Sequence, residues 1–335
     1  MLKINYWRNI LKIDNKLSAR QQNLRSILDL LDEYDQLSAK QLANLTSLSI
    51  VSINKLLDIL NSKGNLIATD HLNTRGRRAK LYKLNYDAYK LGVVQLAEEN
   101  NQIKATYFLT NLLGKINHQH FNDQQIDSIE QLTDFIKNET KIDKPCKLIV
   151  GVPGSEIDGY LQISDIKALQ GINLSLAIKT ATGLETMIVN DANASTFGAA
   201  LELNENQNIS VGVYFPNNFG AGVGIVINNH LINGASGLAG EIQYSTVDTK
   251  IDISQQIIQH VQNIISFLDP NLIIVYAENL QLSSLQTDRI KQTIQRNLPL
   301  HDKYQLDFDR DFSHDYLLGL TAIGRKNILK DLATN

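Results

Sequence analysis

Apolar positions fall into two regimes along the chain. In the first 60 or so residues they recur at helical spacing, at Leu24, Ile27, Leu28, Leu30 and Leu31 and again at Ile53, Leu56, Leu57 and Leu60. Each set lines one face of a helix. Ser18 with Gln21 and Ser38 with Gln41 have the Ser-x-x-Gln spacing of a capping box, which predicts two helix starts. Ser49 predicts a third start, and Gly64 the end of that helix. Residues 66–85 then alternate in two short segments around a polar, basic turn, the pattern of a β-hairpin. Helix, short helix, longer helix and hairpin make a winged helix-turn-helix, with a short turn at residues 45–49.

From about residue 90 the pattern changes to strands alternating with helices. Residues 91–99 and 104–116 read as a strand hairpin, 124–139 as a helix, and 147–154 as a buried strand closed by Pro-Gly. Residues 174–183 read as a helix and 185–203 as a strand running into one; 210–216 and 223–234 read as a strand pair. Residues 254–270 form a helix, 272–278 a strand, and 314–332 a last helix. This is an α/β body with mixed sheets, consistent with two lobes around a cleft. With 335 residues the chain is too long for one small core. The expected domains are 1–87, a winged helix-turn-helix, and 88–335, the α/β body.

Composition narrows the class. The chain is 43% hydrophobic and 20% charged, as ordered globular proteins are. It offers no window of about 18 uncharged apolar residues, so no membrane partner is expected. The first 22 residues lack an apolar stretch with a cleavage site, and Cys146 is the sole cysteine, so a reducing cytoplasm is the expected location. Any zinc site would have to use His and carboxylates. The net charge of -3 is unevenly spread: residues 1–90 carry 15 Lys+Arg against 8 Asp+Glu, and the rest 17 against 27. A basic head on an acidic body points to nucleic acid as the partner of the head.

In a winged helix the third helix enters the major groove with its N-terminal side chains toward base edges. The candidates are Ser49, Ile50, Val51, Ser52, Asn54 and Lys55. Asn54 suits an adenine edge, Val51 or Ile50 a thymine methyl, and Lys55 a phosphate. Arg75, Arg77, Arg78 and Lys80 fall in the wing, where they suit backbone or minor-groove contact. The alternative is a winged helix used for protein contacts, with Ser49 and Ser52 as plain caps.

The segments 38-SAKQLANLTSLSIVSINKLLDILNSKGNLI-67, 75-RGRR-78, 150-VGVPG-154, 189-VNDANASTFGA-199, 220-GAGVGIVINNHLINGASGLAGEIQY-244 and 268-LDPNLIIVY-276 run in that order across nearly the whole chain. With them the sequence resembles the ROK family (repressor, open reading frame, kinase), in its repressor type near the xylose-repressor branch. The resemblance implies an N-terminal winged helix-turn-helix followed by an actin-like, two-lobed α/β domain of the sugar-kinase type. It also implies a sugar site. Asp191 would stand at the family's catalytic base, Asn190 and Glu241 would bind sugar hydroxyls, and Gly154 would approach by its backbone. Taken without the resemblance, Asn190 and Asp191 read as an ordinary helix cap.

The sequence departs from the kinase pattern in three places. The Asp-x-Gly-x-Thr phosphate loop expected between the first two strands is missing from 94-VQLAEENNQIKAT-106, where Glu98 and Glu99 would repel phosphate. Tyr244 stands where the family has a histidine that serves sugar and zinc; it would either stack on a sugar or fill space. The family's cysteine cluster and the glutamate after it are missing, so that zinc site cannot form. We therefore expect no catalysis, no metal and no cofactor. The glycines of 220–240 would serve tight turns and close packing. The expectation is a repressor of sugar-utilisation genes. A homodimer or higher homo-oligomer would bind a palindromic operator, and a monosaccharide, xylose-like, in the cleft would control its affinity. The competing expectation is a ligand-independent DNA-binding protein whose body serves only for dimerisation.

Overall fold

Ser18, Ser38 and Ser49 each cap a helix, as their spacing predicts. The computed structural model describes residues 17–70, 79–99, 101–203, 208–216 and 220–334. Helix α1 (Ala19–Tyr34) and helix α2 (Ala39–Thr46) begin with complete capping boxes, and α3 (Ile50–Ser62) begins at Ser49, whose hydroxyl accepts from the Ser52 N–H at 3.1 Å. Between α1 and α2 lies β1 (Gln36–Ser38), and after α3 come β2 (Leu66–Asp70) and β3 (Lys80–Leu84), in the sheet order β1-β3-β2. The hairpin pairs Leu66 with Leu84 at its open end and Asp70 with Lys80 next to the connecting segment. Leu24, Ile27, Leu28, Leu31, Ile53, Leu57 and Leu60 are buried together, so the periodicity marks one shared core.

The body contains two five-stranded sheets. The first is built from β4 (Leu91–Glu99), β5 (Gln102–Thr110), β6 (Ile116–Gln125), β7 (Lys147–Val152) and, after a small hairpin of β8 (Gly154–Ile157) and β9 (Tyr160–Ser164), β10 (Thr186–Asn190). The second is built from β11 (Ile209–Tyr214), β12 (Gly222–Ile227), β13 (His230–Leu231), β14 (Leu272–Tyr276) and β15 (Gln305–Asp307). Their strand orders, β6-β5-β4-β7-β10 and β13-β12-β11-β14-β15, are the same order used twice. In each, an antiparallel meander is extended by two parallel strands. Parallel neighbours require crossovers. These contain α4 (Ile129–Ile142) and α5 (Leu174–Thr182) in the first half, and α7 (Ile253–Leu268) and α8 (Ser284–Asn297) in the second. Helix α6 (Asp191–Glu202) leaves β10 directly and packs on β11 and β12.

The last helix, α9, is Phe312–Thr334. By packing, the chain divides into Met1–Tyr89 with Arg325–Asn335, and Lys90–Gly324. Leu329 and Ala333 join the core of the first unit, and Arg325 pairs with Asp32 at 3.1 Å. The periodicity of residues 314–332 predicts the helix but carries no sign of this division.

Several elements differ from the sequence reading. The strand expected over 104–116 ends at Thr110, and a separate strand, β6, occupies Ile116–Gln125. The helix expected from residue 124 begins at Ile129, capped by Ser128. Most residues of β6 are exposed, so this edge strand has no buried face and no alternation to read. The β8–β9 hairpin, α8 and β15 were not expected either; β8, β9 and β15 are only 3 to 5 residues long.

Candidate functional site

At the amino end of α3 the solvent side carries Ile50, 50% exposed, and Val51, 65% exposed. Ser52, Asn54 and Lys55 are exposed beside them, while Ile53, Leu56 and Leu57 face the core. Two β-branched apolar side chains in water at a helix start do nothing for the core. The hydroxyls of Ser49 and Ser52 lie 2.9 Å apart and are occupied with the cap. Lys80 opens β3 with its ammonium 5.5 Å from the centre of the Tyr82 ring. Arg75, Arg77 and Arg78 lie outside the described residues.

In the body, Gly154, Asn190, Asp191 and Glu241 come together. Asn190 sits at the carboxyl end of β10, in register with Val152 of β7. Its side-chain oxygen accepts from the Asn193 N–H at 2.9 Å, and its amide donates to the Gly154 carbonyl at 3.0 Å. One side chain thus caps α6 and fixes the turn after β7. The Asp165 N–H donates to the Pro153 carbonyl at 3.1 Å, which holds the exit of β9 against the same turn. Ser155 donates to a Glu241 carboxylate oxygen, and the Gln243 amide donates to the other at 3.1 Å. Tyr244 is separate from this group: its N–H donates to the Glu241 carbonyl at 3.2 Å, but its side chain is 73% exposed.

The glycines of this region let chain segments touch. A Cβ on Gly224 would lie 2.3 Å from the Ala192 carbonyl oxygen, so the first turn of α6 rests directly on β12. Gly240 has φ +92° and carries its carbonyl to the Val223 N–H at 3.1 Å; a Cβ there would lie 1.8 Å from the Val223 oxygen. That contact places Glu241. The glycine-rich stretch is thereby committed to packing.

The site is strongly acidic. Burial pushes the Asp191 carboxyl up to about 8; the Ala192 N–H opposes this in part, and Asp165 and Glu241 add to it. Burial also pushes Asp165 up to about 7, with Glu98 and Glu241 adding to it. The side-chain charges that raise these two groups are all carboxylates, Glu98, Glu241 and Asp165 itself. Perturbed carboxyls without a cation are a frequent mark of a functional cleft. Asp165 and Ser155 were not among the residues expected from sequence. Nothing local distinguishes them; only the β8–β9 hairpin brings them to Asn190 and Glu241.

A raised carboxyl destabilises the folded state as pH rises. It binds its proton when folded and releases it when unfolded, so the penalty is absent below the ordinary value of 3.8 and complete above about 8. Asp191→Asn keeps an oxygen for the Ala192 N–H and removes the penalty. We expect its Tm to exceed that of wild type by about 4 °C or more at pH 8 and to match it near pH 3.5. A gain independent of pH in a thermal melt would refute this.

Among the described residues, Glu202, His314 and Asp315 place donor atoms within 4.8 Å of one another. The Arg310 guanidinium bonds to both Glu202 and Asp315, so the cation of this cluster is an arginine. Among the described residues no helix is long and apolar enough to cross a membrane.

Residues 102–255 match the model of the ROK family. The chain is 25% identical to the xylose repressor of Caldicellulosiruptor bescii over 257 residues, 73% of this chain and 61% of that protein. It is 24% identical to the xylose repressor of Bacillus subtilis over 247 residues, 70% of this chain and 63% of that one. The matches thus span about three fifths of these relatives' length. Among solved structures it is similar to a ROK family transcriptional regulator, a homologue of the E. coli MLC protein, with a TM-score of 0.72 at 17% identity over 93% of this chain and 97% of that one. A ROK hexokinase from Thermus thermophilus matches with a TM-score of 0.58 at 14% identity, over 70% of this chain and 97% of the enzyme. These likenesses agree with the observed fold, an N-terminal winged helix before a ROK-type, actin-like α/β body.

Proposed function

The chain carries a ROK family domain, and from that premise we propose that it is a DNA-binding repressor whose operator affinity is set by a monosaccharide in the cleft of a non-catalytic, sugar-kinase-like body. The observation that carries this reading is the joining of Gly154, Asn190, Asp191 and Glu241, from three separate stretches of sequence, in a chain that also has a winged helix. The names of the relatives make a xylose-like sugar the first ligand to test. The β4–β5 turn supports a role without phosphoryl transfer: the sequence there has Glu98 and Glu99 and no Asp-x-Gly, where a kinase needs groups that attract phosphate. Regulation requires that the sugar bind two conformations of the protein with different affinity, typically by about 1–3 kcal/mol.

The test is a gel-shift titration on DNA from the protein's own promoter neighbourhood, at stated salt, with a panel of free monosaccharides including xylose. A specific shift altered by one sugar is expected. A shift indifferent to every sugar, and unchanged in the double variant Asn190→Ala, Asp191→Ala, would instead mean a ligand-independent regulator with a dimerising body. One observation favours that second reading: the Asn190 side chain is already engaged at both its oxygen and its nitrogen.

Lys55 lies on the exposed side of α3, where a phosphate contact is proposed. Lys55→Ala is expected to weaken binding to all sequences alike and to reduce the slope of log affinity against log salt by about 1. Val51→Ala, in contrast, is expected to leave the slope unchanged and to lower affinity where a thymine stands opposite. Equal slopes for wild type and Lys55→Ala would remove Lys55 from the interface.

A further inference from the structure

Asp165 belongs to none of the motifs that carry the family resemblance, yet the fold brings it to the turn that Asn190 holds. It follows β9 directly, and its N–H bonds to the Pro153 carbonyl, one residue before the glycine that Asn190 holds. Its carboxylate is partly buried and accepts no hydrogen bond among the described residues. Glu98 and Glu241 act on it from β4 and from the glycine-rich segment, and Asp165 in turn acts on Asp191. Lys167, two residues on, is exposed, and Lys104 lies 3.7 Å from Glu99. Ser155 and Gln243 donate to Glu241, and the Ala192 N–H donates to Asp191 at 2.8 Å.

Ionised carboxylates only accept hydrogen bonds. At pH 8, above the value of Asp165 and about that of Asp191, a site that also holds Glu98 and Glu241 is anionic, and it is suited to a ligand rich in hydroxyl or amino donors. It is unsuited to one bearing phosphate or carboxylate, since like charges in a partly buried cleft repel with little screening. We infer that Asp165 is a specificity-determining residue of the cleft: it accepts from a donor group of the sugar and, with Glu98, Asp191 and Glu241, excludes anionic sugars such as sugar phosphates and uronic acids. This inference rests on the sugar-sensing reading above.

The experiment is isothermal titration of the full chain at pH 8 with xylose, glucose, glucosamine, glucose 6-phosphate and glucuronate. The same titrations are made with Asp165→Asn, which keeps the size of the side chain, and with Glu98→Gln. At least one uncharged or amino sugar is expected to bind, with the anionic sugars at least tenfold weaker. Asp165→Asn is expected to narrow that neutral-to-anionic ratio at least threefold, and Glu98→Gln to narrow it in the same direction. The ratio is the decisive readout, because a variant that merely loosened the fold would weaken all sugars together. An anionic sugar that binds wild type as tightly as its neutral counterpart, or a ratio unmoved by Asp165→Asn, would overturn the inference and leave sugar sensing intact. Failure of every sugar to bind would overturn the sensing reading and this inference with it.

Discussion

Asp315→Ala is expected to cost the body about 3–5 kcal/mol of unfolding free energy, the usual consequence of removing one member of a buried ion pair. Asp315 is 0% exposed at the start of α9. It receives the Arg310 Nε–H at 2.7 Å and the Tyr276 hydroxyl at 2.8 Å, and Arg310 bonds also to Glu202 at the end of α6. One carboxylate therefore joins α6, α9 and β14. Its loss leaves a largely buried guanidinium with one partner and a buried phenol with only the Ser195 carbonyl, at 3.2 Å, as acceptor. Burial, and then the charge of Asp315, hold the Tyr276 phenol well above its ordinary range, while the bond to Asp315 does most to keep Arg310 charged. Tyr276→Phe removes a single neutral donor and is expected to cost only about 1 kcal/mol. Urea denaturation of the three proteins at pH 7 checks both. Similar midpoints for wild type and Asp315→Ala would show that the network contributes little.

Gly240→Ala is expected to cost at least about 3 kcal/mol and to abolish the response to sugar. Two effects add. Its φ of +92° is unfavourable for any residue with a Cβ, and that Cβ would lie 1.8 Å from the Val223 carbonyl oxygen, a backbone atom that cannot swing aside. Relief requires the 238–242 segment to move off β12, and Glu241 moves with it. Gly171→Ala separates the two effects: φ there is +77°, but nothing lies within 4 Å of the added carbon. It is expected to cost about 1–2 kcal/mol, the strain alone. Thermal melts with sugar titrations on both variants test this, and a Gly240→Ala protein as stable as Gly171→Ala would remove the packing argument.

That result would also bear on how a glycine-rich segment is read. Taken alone, 220-GAGVGIVINNHLINGASGLAG-240 could be a phosphate cradle or a packing motif, and in the whole sequence the missing Asp-x-Gly-x-Thr loop already points to packing. Gly224 under the Ala192 carbonyl and Gly240 on the Val223 carbonyl assign both to packing. The surroundings of each absent Cβ decide the matter, and these lie on other elements.

By itself the sequence determined what is local. The capping serines at 18, 38 and 49, the helical stripes of the head, the wing hairpin, the buried strands at 147 and 272 and the turn from β10 into α6 are all visible within windows of a few residues. Hydrogen bonding at caps and periodic burial act over that range. The resemblance to a family added Asn190, Asp191 and Glu241 as partners. Tertiary structure alone decided three other matters. It made the body one strand order used twice, which no repeat of residues announces. It drew Arg325–Asn335 into the first unit, because Leu329 and Ala333 bury there. It set Asp165 near Asp191 and Glu241 and left Tyr244 in solvent. Strand pairing and desolvation depend on which distant segment lies opposite, and for β6, mostly polar and mostly exposed, or for a lone aspartate after a short hairpin, the local sequence holds no trace of that neighbour.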